Sequence, residues 1–344
     1  MKTWIAAGFV AIWVGGALLA PAFAQTRNLE QVGFIPGPAT TVHLHEGIAY
    51  VSDGPTVRLY DVSDPANPAA LGSHTFPQNI YGVRVSGSMA YAAIDFTGLG
   101  ILDVSDPAAP VALGSHQTAG QALAVDVSGT TVVISNRLSG LEVIDASNPA
   151  APVLLGSYFT EGYGTDVKAV GSYAYVADRP GGLSIVDLMQ PGNAGEFEAA
   201  AMVSSTERPA TTAAVSLDPD APGATLAAIV TTDTLLELFD VSDPSNPVAV
   251  ASYRHPDRPA LGLNIAAPRV RFEGPLAYIA DLNPPFLVQV VDLSTPAQPS
   301  LVTTYEPPGP PRDVSVSGSL VLVAVGNNPD ASGEPGVDIL RLGS

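Results

Sequence analysis

Short runs of alternating apolar and polar residues, separated by turn residues, recur along most of the chain. Between residues 82 and 116 this pattern predicts four strands, labelled a to d in chain order, at 82–85, 89–94, 100–104 and 110–116. Ser86-Gly87-Ser88 fits a tight turn between strands a and b, and Asp106-Pro107 with Pro110 separates c from d. The pattern therefore predicts an all-β protein.

The same four-strand unit is repeated along the chain. An aspartate ends the apolar run of strand c and recurs at intervals of 42 to 53 residues, at Asp61, Asp103, Asp145, Asp187, Asp240, Asp292 and Asp338. Four antiparallel strands per 40 to 50 residues are typical of a β-propeller blade, so seven markers predict seven blades. A solenoid of stacked repeats is the alternative.

The two ends of the repeat region favour a closed ring. "LEQVGFIPG" (29–37) reads like a strand d that has no blade of its own, whereas the last unit stops after strand c within 336–344. The N-terminal strand is therefore predicted to complete the last blade, which would protect both sheet edges. Residues 25–344 are predicted to form one seven-bladed domain.

The N-terminus has the features of a secretory signal peptide. Lys2 precedes an apolar stretch at 4–20, and Ala22 and Ala24 fit a processing site, so residues 1–24 are predicted to be cleaved off. The stretch is close to the lower limit of roughly 17 residues for a membrane span, so an uncleaved anchor is the alternative. With cleavage, we expect an exported protein (periplasmic, extracellular or on the cell surface) without membrane insertion.

Composition narrows the classes of partner and of chemistry. Asp and Glu number 33 against 14 Lys and Arg, for a net charge of −19, which argues against nucleic acid as a partner. The chain has no cysteine, so disulfides do not stabilise the fold. It also lacks a G-x-S-x-G elbow, an HExxH motif, a P-loop and a dinucleotide fingerprint, which lowers the expectation of an enzyme.

The strand c region resembles a known repeat family. "GLSIVDL" (182–188), "GLEVIDA" (140–146), "GILDVSDP" (100–107) and "YAYVADRPGGL" (173–183) are similar to LVIVD repeats. The resemblance implies a β-propeller in an exported or surface protein of bacteria or archaea, and it implies no reaction. The fifth unit (217–241) and the insert at 326–336 depart from the pattern.

Antiparallel strands divide the loops between two faces of the ring. One face, here called the variable face, carries the b–c and d–a loops, such as 95–99 and the segment after His116. The other, the turn face, carries the repeated a–b and c–d turns, such as 86–88 and 105–109. Binding sites usually lie on variable loops, so we expect a site on the variable face, with the long segments 207–214 and 253–269 as a partner-binding lip.

Acidic and amide residues recur where strand b ends or strand a begins on this face. The predicted rim consists of Asp53, Asp95, Asn136, Asp166, Asp178, Asp281, Asp313 and Asn327. Several oxygen ligands suit a divalent cation such as Ca²⁺, so a cation site at the rim acids is one interpretation. The alternative is that each side chain caps its own turn.

A second set of polar residues aligns in the middle of strand a. The predicted channel wall consists of His43, Arg84, Asp126, Lys168 and Arg271, with Ser216 and Ser315. Arg84, Asp126 and Lys168 are predicted to form an ion-pair chain across blades, or Arg84, Lys168 and Arg271 to bind an anion or polar ligand. His116 is an acid–base candidate, and the histidines are not expected to converge on a transition metal.

Three functions remain open on this basis. The first is an exported scaffold that binds a protein, peptide or glycan through the variable face. The second is a metal-assisted propeller hydrolase or lyase using Asp53, Asp166, Asp178, Asp281 and Asp313. The third is a periplasmic or surface subunit of a larger complex.

Overall fold

The protein is a ring of seven four-stranded antiparallel sheets. The structure, a computed structural model, describes residues 27–137, 140–159, 162–179, 182–191, 197–203, 212–218, 225–231, 234–257, 268–327 and 333–343. In these ranges the only helix is one 3₁₀ turn, Asp95–Thr97. No helix within them is long and apolar enough to cross a membrane. The prediction of a seven-bladed β-propeller is confirmed.

Each blade takes its strands a to d from the channel outward, and successive a strands contact one another around the axis. Blade 1 comprises β2 (Thr41–His45), β3 (Ile48–Asp53), β4 (Thr56–Asp61) and β5 (Ala69–Thr75). Blade 2 comprises β6 (Ile80–Ser86), β7 (Met89–Ile94), β8 (Gly98–Asp103) and β9 (Val111–His116). Blade 3 comprises β10 (Ala122–Ser128), β11 (Thr131–Asn136), β12 (Gly140–Asp145) and β13 (Val153–Tyr158).

The remaining blades repeat this arrangement. Blade 4 comprises β14 (Tyr163–Val170), β15 (Tyr173–Arg179), β16 (Gly182–Pro191) and β17 (Phe197–Val203). Blade 5 comprises β18 (Thr212–Asp218), β19 (Leu226–Thr231), β20 (Leu236–Asp240) and β21 (Val248–Tyr253). Blade 6 comprises β22 (Arg269–Glu273), β23 (Leu276–Asp281), β24 (Leu287–Asp292) and β25 (Ser300–Tyr305).

Blade 7 closes the ring as predicted. Its strands a to c are β26 (Pro311–Ser317), β27 (Leu320–Val325) and β28 (Gly336–Leu342), and its strand d is the N-terminal β1 (Leu29–Pro36). Strand β1 pairs antiparallel with β28 from Leu29 opposite Leu342 to Pro36 opposite Gly336. Backbone hydrogen bonds therefore join the two ends of the repeat region in place of a disulfide.

The core lies in the seams between neighbouring blades. At the seam between blades 2 and 3, Leu99 and Ile101 of blade 2 pack against Val125 and Ile134 of blade 3, and all four are fully buried. Because successive side chains of a strand point to opposite faces, each blade contributes to two such clusters. Burial of these side chains is the main stabilising contribution to the ring.

The marker aspartates hold the c–d turns. The Oδ1 atom accepts a hydrogen bond from the backbone N–H two residues later in six blades, at Asp61, Asp103, Asp145, Asp187, Asp240 and Asp292, over 2.7 to 2.9 Å. This is the capping geometry that short acidic side chains favour in turns. The repeated aspartates thus serve the frame.

Asp338, predicted as the seventh marker, does not end its strand. It pairs with Val323 in the middle of strand c, whereas Arg341 lies opposite Leu320, the position that Asp292 occupies opposite Leu276 in blade 6. Asp338 is buried inside the seam between blades 6 and 7 rather than in a turn. The apolar residues on both sides of Asp338 make it look like the end of the run in sequence.

The glycine of the repeated "ALGSH" phrase leaves room for the next blade. An added Cβ at Gly72 in blade 1 would lie 2.6 Å from the carbonyl oxygen of Pro107 and 2.7 Å from that of Ala108, both in the c–d turn of blade 2. Gly114 of blade 2 meets the turn at Pro149 in the same way. The phrase therefore joins adjacent blades.

Gly72→Ala should lower the free energy of unfolding by about 1–3 kcal/mol, since the methyl group would push the turn of blade 2 away. The matched control is Ser73→Ala, whose side chain is exposed on the same strand; its effect should stay within about 0.5 kcal/mol. Chemical denaturation of both variants measures this. Equal stabilities of the two would contradict the role assigned to Gly72.

Candidate functional site

The channel is lined by the inner edges of the a strands. Edge strands leave backbone N–H groups without a partner strand, and polar side chains of the neighbouring a strand supply the acceptors here. The bonds run from Val42 N–H to Asp313 Oδ2 (3.2 Å), Leu44 N–H to Ser315 Oγ (2.9 Å), Ala169 N–H to Asp126 Oδ2 (2.9 Å) and Phe272 N–H to Ser216 Oγ (3.0 Å). The polar period of strand a therefore has a structural role in the channel wall.

Three cations and three carboxylates meet on this wall. Asp126 lies between Arg84 and Lys168, with Oδ1 3.6 Å from Arg84 Nε and Oδ2 3.5 Å from Lys168 Nζ. Arg271 lies between Asp166 and Asp313. Its Nη1 is 3.4 Å from Asp166 Oδ2, and its Nη2 is 3.6 Å from Asp313 Oδ1. The chain from Arg84 to Lys168 has the predicted geometry. The pairing of Arg271 with two acids assigned to the rim was not anticipated.

We call these six residues together with His43 the channel cluster. Asp166 and Asp313 lie near the start of strand a, close to the variable face. The other charged residues, Arg84, Asp126, Lys168 and Arg271, lie about two residues further along strand a. The cluster therefore forms two levels in one channel. Its members come from blades 1, 2, 3, 4, 6 and 7. Its three positive and three negative charges balance when His43 is neutral.

The charges shift one another's proton affinity. Burial alone would raise the pKa of Asp166, but Arg271, Arg269 and Arg84 outweigh it, so the pKa lies below its usual range. Burial lowers the pKa of Lys168, and Asp126 offsets part of that effect. Asp166 is therefore ionised at neutral pH and holds Arg271 in place.

His43 is a neutral side chain among cations. Burial, and then Arg84, Lys168 and Arg271, hold the pKa of His43 well below its usual value. Its ring stacks on that of His45 with centroids 6.3 Å apart, and the Nε2 atoms of both rings are shielded from solvent without a hydrogen-bond partner. A buried polar atom without a partner is costly, so these two nitrogens are the positions where a polar ligand group gains most.

The other predicted rim residues do not join the channel cluster. Asp53 pairs with Arg58 of its own hairpin at 3.8 Å, Asp95 accepts from Gln121 at 2.9 Å, and Asp281 accepts from the backbone N–H of Asn283 at 2.9 Å. Asp178 is buried, and Asn327 is exposed beyond the end of β27. Of the predicted rim residues, only Asp166 and Asp313 thus share a partner, Arg271, among the contacts of the described residues.

The remaining rim residue, Asn136, belongs to a buried polar cluster between blades 2 and 3. Glu142 Oε1 accepts from Asn136 Nδ2 at 3.0 Å and from the Ala119 N–H at 2.7 Å, and Oε2 lies 3.3 Å from His116 Nε2. The carboxylate fixes the d–a loop between the blades. His116, predicted as an acid–base candidate, contacts Glu142 in this buried cluster.

Glu142 belongs to a set that the sequence analysis missed. The strand c residue opposite the fourth residue of strand b contacts the previous blade at Glu142 and Asp338. It is polar and buried in five blades, at Glu142, Ser184, Glu237, Gln289 and Asp338. Asp338 accepts from Tyr305 of blade 6 at 2.9 Å and from Gln31 of β1 at 3.1 Å. Burial raises the pKa of Asp338. The sequence signal for this set was a polar or charged residue within the otherwise apolar run of strand c.

No metal centre is found in the described ranges. No group of three or more His, Asp or Glu there is arranged to hold a metal ion. Of the rim acids considered for a divalent cation, Asp53, Asp166, Asp281 and Asp313 have the contacts given above.

Exposed aromatic side chains lie in loops of the variable face. Phe96, in the b–c turn of blade 2, is 60% exposed, and Phe159 and Tyr163, which flank the d–a loop between blades 3 and 4, are 69% and 46% exposed. Aromatic residues are enriched in protein interfaces relative to the rest of the surface. Most of the predicted lip at 207–214 and 253–269 lies outside the described residues.

Solved structures share the architecture. The chain is 13% identical to the Cps50 (Swd1) β-propeller domain of Myceliophteria thermophila, with a TM-score of 0.68 over 92% of this chain and 100% of that chain. It is 10% identical to the computationally designed Ika8 protein, with a TM-score of 0.59 over 90% of this chain and 98% of that chain. At these identities the likeness shows the fold alone.

The sequence comparisons add to what the shared fold shows. No curated protein matches the chain. The family model described as the LVIVD repeat matches six segments, 36–75, 80–118, 119–160, 161–198, 228–255 and 266–306. Five of them cover blades 1 to 4 and blade 6, and the partial match at 228–255 falls in the blade whose sequence departs from the pattern. Because these segments span more than half of its length, the chain belongs to the LVIVD-repeat family.

Proposed function

We propose that this protein is an exported binding scaffold whose variable face holds a protein, peptide or glycan partner over the channel. The observation that carries the proposal is that the exposed side chains of Phe96, Phe159 and Tyr163 lie on the face at which the charged channel opens. The aromatic rings supply apolar contact area, and the channel cluster supplies donors and acceptors for a polar group of the partner.

The propeller supports this role because the residues that stabilise the ring are not those of the loops proposed to bind the partner. The seams and the c–d turns hold the ring with repeated residues, while the loops of the variable face differ from blade to blade. Rigid scaffolds with variable loops are a common arrangement for binding sites. Export is part of the proposal and is supported by the leader sequence at 1–24.

Replacing the exposed aromatic residues should remove the partner. We expect Phe96→Ser combined with Phe159→Ser to weaken partner binding at least tenfold, because central aromatic contacts dominate many interfaces. The matched control is Val153→Ser combined with Leu154→Ser, since these side chains are 59% and 45% exposed on the outer strand of blade 3.

The measurement is chemical cross-linking and native mass spectrometry of protein purified from its host. A partner cross-linked to the b–c and d–a loops in the wild type and in the control, but absent from the double variant, is the expected result. A partner retained by the Phe96 and Phe159 variant would contradict the proposal. The same spectra should show a mature chain that begins at Gln25; an intact Met1 would contradict cleavage.

A further inference from the structure

A cleft on the turn face lies where blade 7 differs from the other blades. It has a volume of about 590 Å³ and lies between blades 6 and 7, lined among others by Arg27, Glu273, Tyr278, Ser319 and Arg341. This volume is in the range of about 300–1,000 Å³ found for ligand sites. A second cleft of about 270 Å³ adjoins it and shares Ser319 and Arg341.

The cleft includes the end of strand c of blade 7, Arg341 to Gly343, and no c–d turn follows strand c in this blade. Its strand c is β28 and its strand d is β1, which lie at opposite ends of the sequence, so no short turn connects them. In blades 1 and 2 the corresponding turns begin with Asp61 and Asp103, which cap them. Arg341 occupies that position in blade 7, with the opposite charge.

The neighbouring strand d shows the same difference. The turns of blades 2 and 3 each pack on a glycine of the preceding blade, Gly72 and Gly114. At the equivalent position opposite Val290, blade 6 has Thr303. No turn packs there, so a larger side chain is accommodated.

Three side chains in the lining of the cleft, those of Arg27, Arg341 and Tyr278, are hydrogen-bond donors. Arg27 and Arg341 are exposed and form no ion pair among the described residues, in a protein with a net charge of −19. Tyr278 is fully buried, and its hydroxyl has no hydrogen-bond partner within the part of the chain that the structure describes. Burial, with a contribution from Glu273, raises the pKa of Tyr278 to about 12, so the phenol is a proton donor at neutral pH.

Glu273 does not neutralise these donors. One of its oxygens accepts a hydrogen bond from the backbone N–H of Gly318 in the a–b turn of blade 7, which holds the carboxylate at the inner wall. Among the described residues, the guanidinium groups of Arg27 and Arg341 and the phenol of Tyr278 thus have no acceptor in the cleft. Carboxylates match guanidinium groups in geometry and charge.

We propose that this cleft binds an acidic peptide segment of a partner protein, in the form of an Asp-Pro turn like those that cap the other blades. The aspartate carboxylates would bind Arg341 and Arg27, and the Tyr278 hydroxyl would donate to a carboxylate or a peptide carbonyl. This site lies on the face opposite the channel mouth proposed for the partner above, and it does not depend on that proposal.

The test uses the repeat's own turn as the probe. A fluorescent peptide Asp-Val-Ser-Asp-Pro-Ala-Ala-Pro, the sequence of residues 103–110, is titrated with the full chain by fluorescence anisotropy. We expect saturable binding that weakens with salt and at least tenfold weaker binding of the same peptide with both aspartates changed to asparagine. Absence of saturable binding, or equal binding of the two peptides, would overturn the proposal.

Paired variants locate the binding to the cleft. Arg341→Gln should weaken binding at least tenfold, whereas Arg137→Gln, which removes the same charge from an exposed position on the variable face, should change it less than twofold. Tyr278→Phe should weaken binding several-fold and leave the melting temperature unchanged or higher, because the hydroxyl has no partner to lose. Equal effects of the two arginine variants would mean unspecific charge attraction and would overturn the site.

Sedimentation velocity distinguishes a partner from a second copy. A monomer that binds the peptide supports the proposal, and so does a dimer that excess peptide dissociates, which would identify a second copy as the source of the turn. A dimer that excess peptide does not dissociate would overturn it, because another surface of the second copy would then cover the cleft.

Discussion

Removal of residues 27–36, which contain strand β1, should prevent the chain from forming a stable monomeric ring. The deletion exposes the outer edge of β28 along its whole length, takes the buried Ile35 out of the cluster between blades 7 and 1, and leaves Asp338 without Gln31. A domain has only about 5–15 kcal/mol of net stability, and these losses together exceed it. We expect aggregation or loss of the cooperative melting transition in circular dichroism.

A single substitution in β1 tests the same prediction in a chain that should still fold, by its effect on the free energy of unfolding. Ile35→Ala should cost about 2–5 kcal/mol, the usual penalty for truncating a fully buried large aliphatic side chain. Glu30→Ala, at an exposed position of the same strand, should cost less than about 0.5 kcal/mol. A deletion variant that stays monomeric with the wild-type melting temperature would show that closure by β1 contributes little.

A permuted chain gives the positive control. If residues 27–36 follow Gly343 through a linker with the sequence Asp-Val-Ser-Asp-Pro-Ala-Ala-Pro, blade 7 has its four strands in sequence and a c–d turn like those of the other blades. We expect this chain to recover the cooperative transition that the deletion loses. Failure of the permuted chain to fold would argue that the N-terminal position of β1 is itself required.

Arg271→Met should destabilise the protein by about 3–5 kcal/mol at neutral pH. The substitution leaves Asp166 and Asp313, both buried, without their shared cation, and an unpaired buried charge is costly. Arg58→Met is the matched control, because it breaks the exposed pair with Asp53 at 3.8 Å, and such pairs contribute about 0–1 kcal/mol. Urea denaturation of both variants at pH 7 measures the difference.

The pH dependence has a definite sign. The folded-state pKa of Asp166 is lowered, so its contribution to stability is present above the unfolded value of about 3.9 and is lost as pH falls through the folded-state pKa. In Arg271→Met the main cation is gone and burial should raise that pKa. The difference between wild type and variant should therefore be largest at neutral pH and shrink below about pH 4.

A second substitution tests whether the unpaired charge is the cause. Asp166→Asn added to Arg271→Met should recover part of the lost stability, because it removes one of the two buried charges. If the double variant is less stable than Arg271→Met by the full cost of Asp166→Asn alone, the two residues do not interact and the channel cluster is not a coupled unit.

The parts of this molecule that follow from local pattern were predictable. Met89–Ile94 has the predicted bounds, and the turn at 86–88 forms where glycine allows it, with Gly87 at a φ of 55°. The six correctly placed marker aspartates cap their turns, since that contact spans two residues. The error at Asp338 arose because a buried carboxylate in the middle of strand c looks like the end of an apolar run. Its partners Tyr305 and Gln31 are far away in sequence.

Seven blades and their strand order could be predicted because strand period and repeat spacing are properties of short segments. Closure of the ring could be predicted because the repeat region starts with a strand d that has no blade and its last unit has no strand d. The polar period of strand a also placed Arg84, Asp126 and Lys168 on one wall. That Asp166 and Asp313 share Arg271, that the other rim acids do not join them, and that Arg341 and Tyr278 line one cleft is visible only in the folded ring. Those contacts join residues from different blades, and their distances depend on how the ring closes.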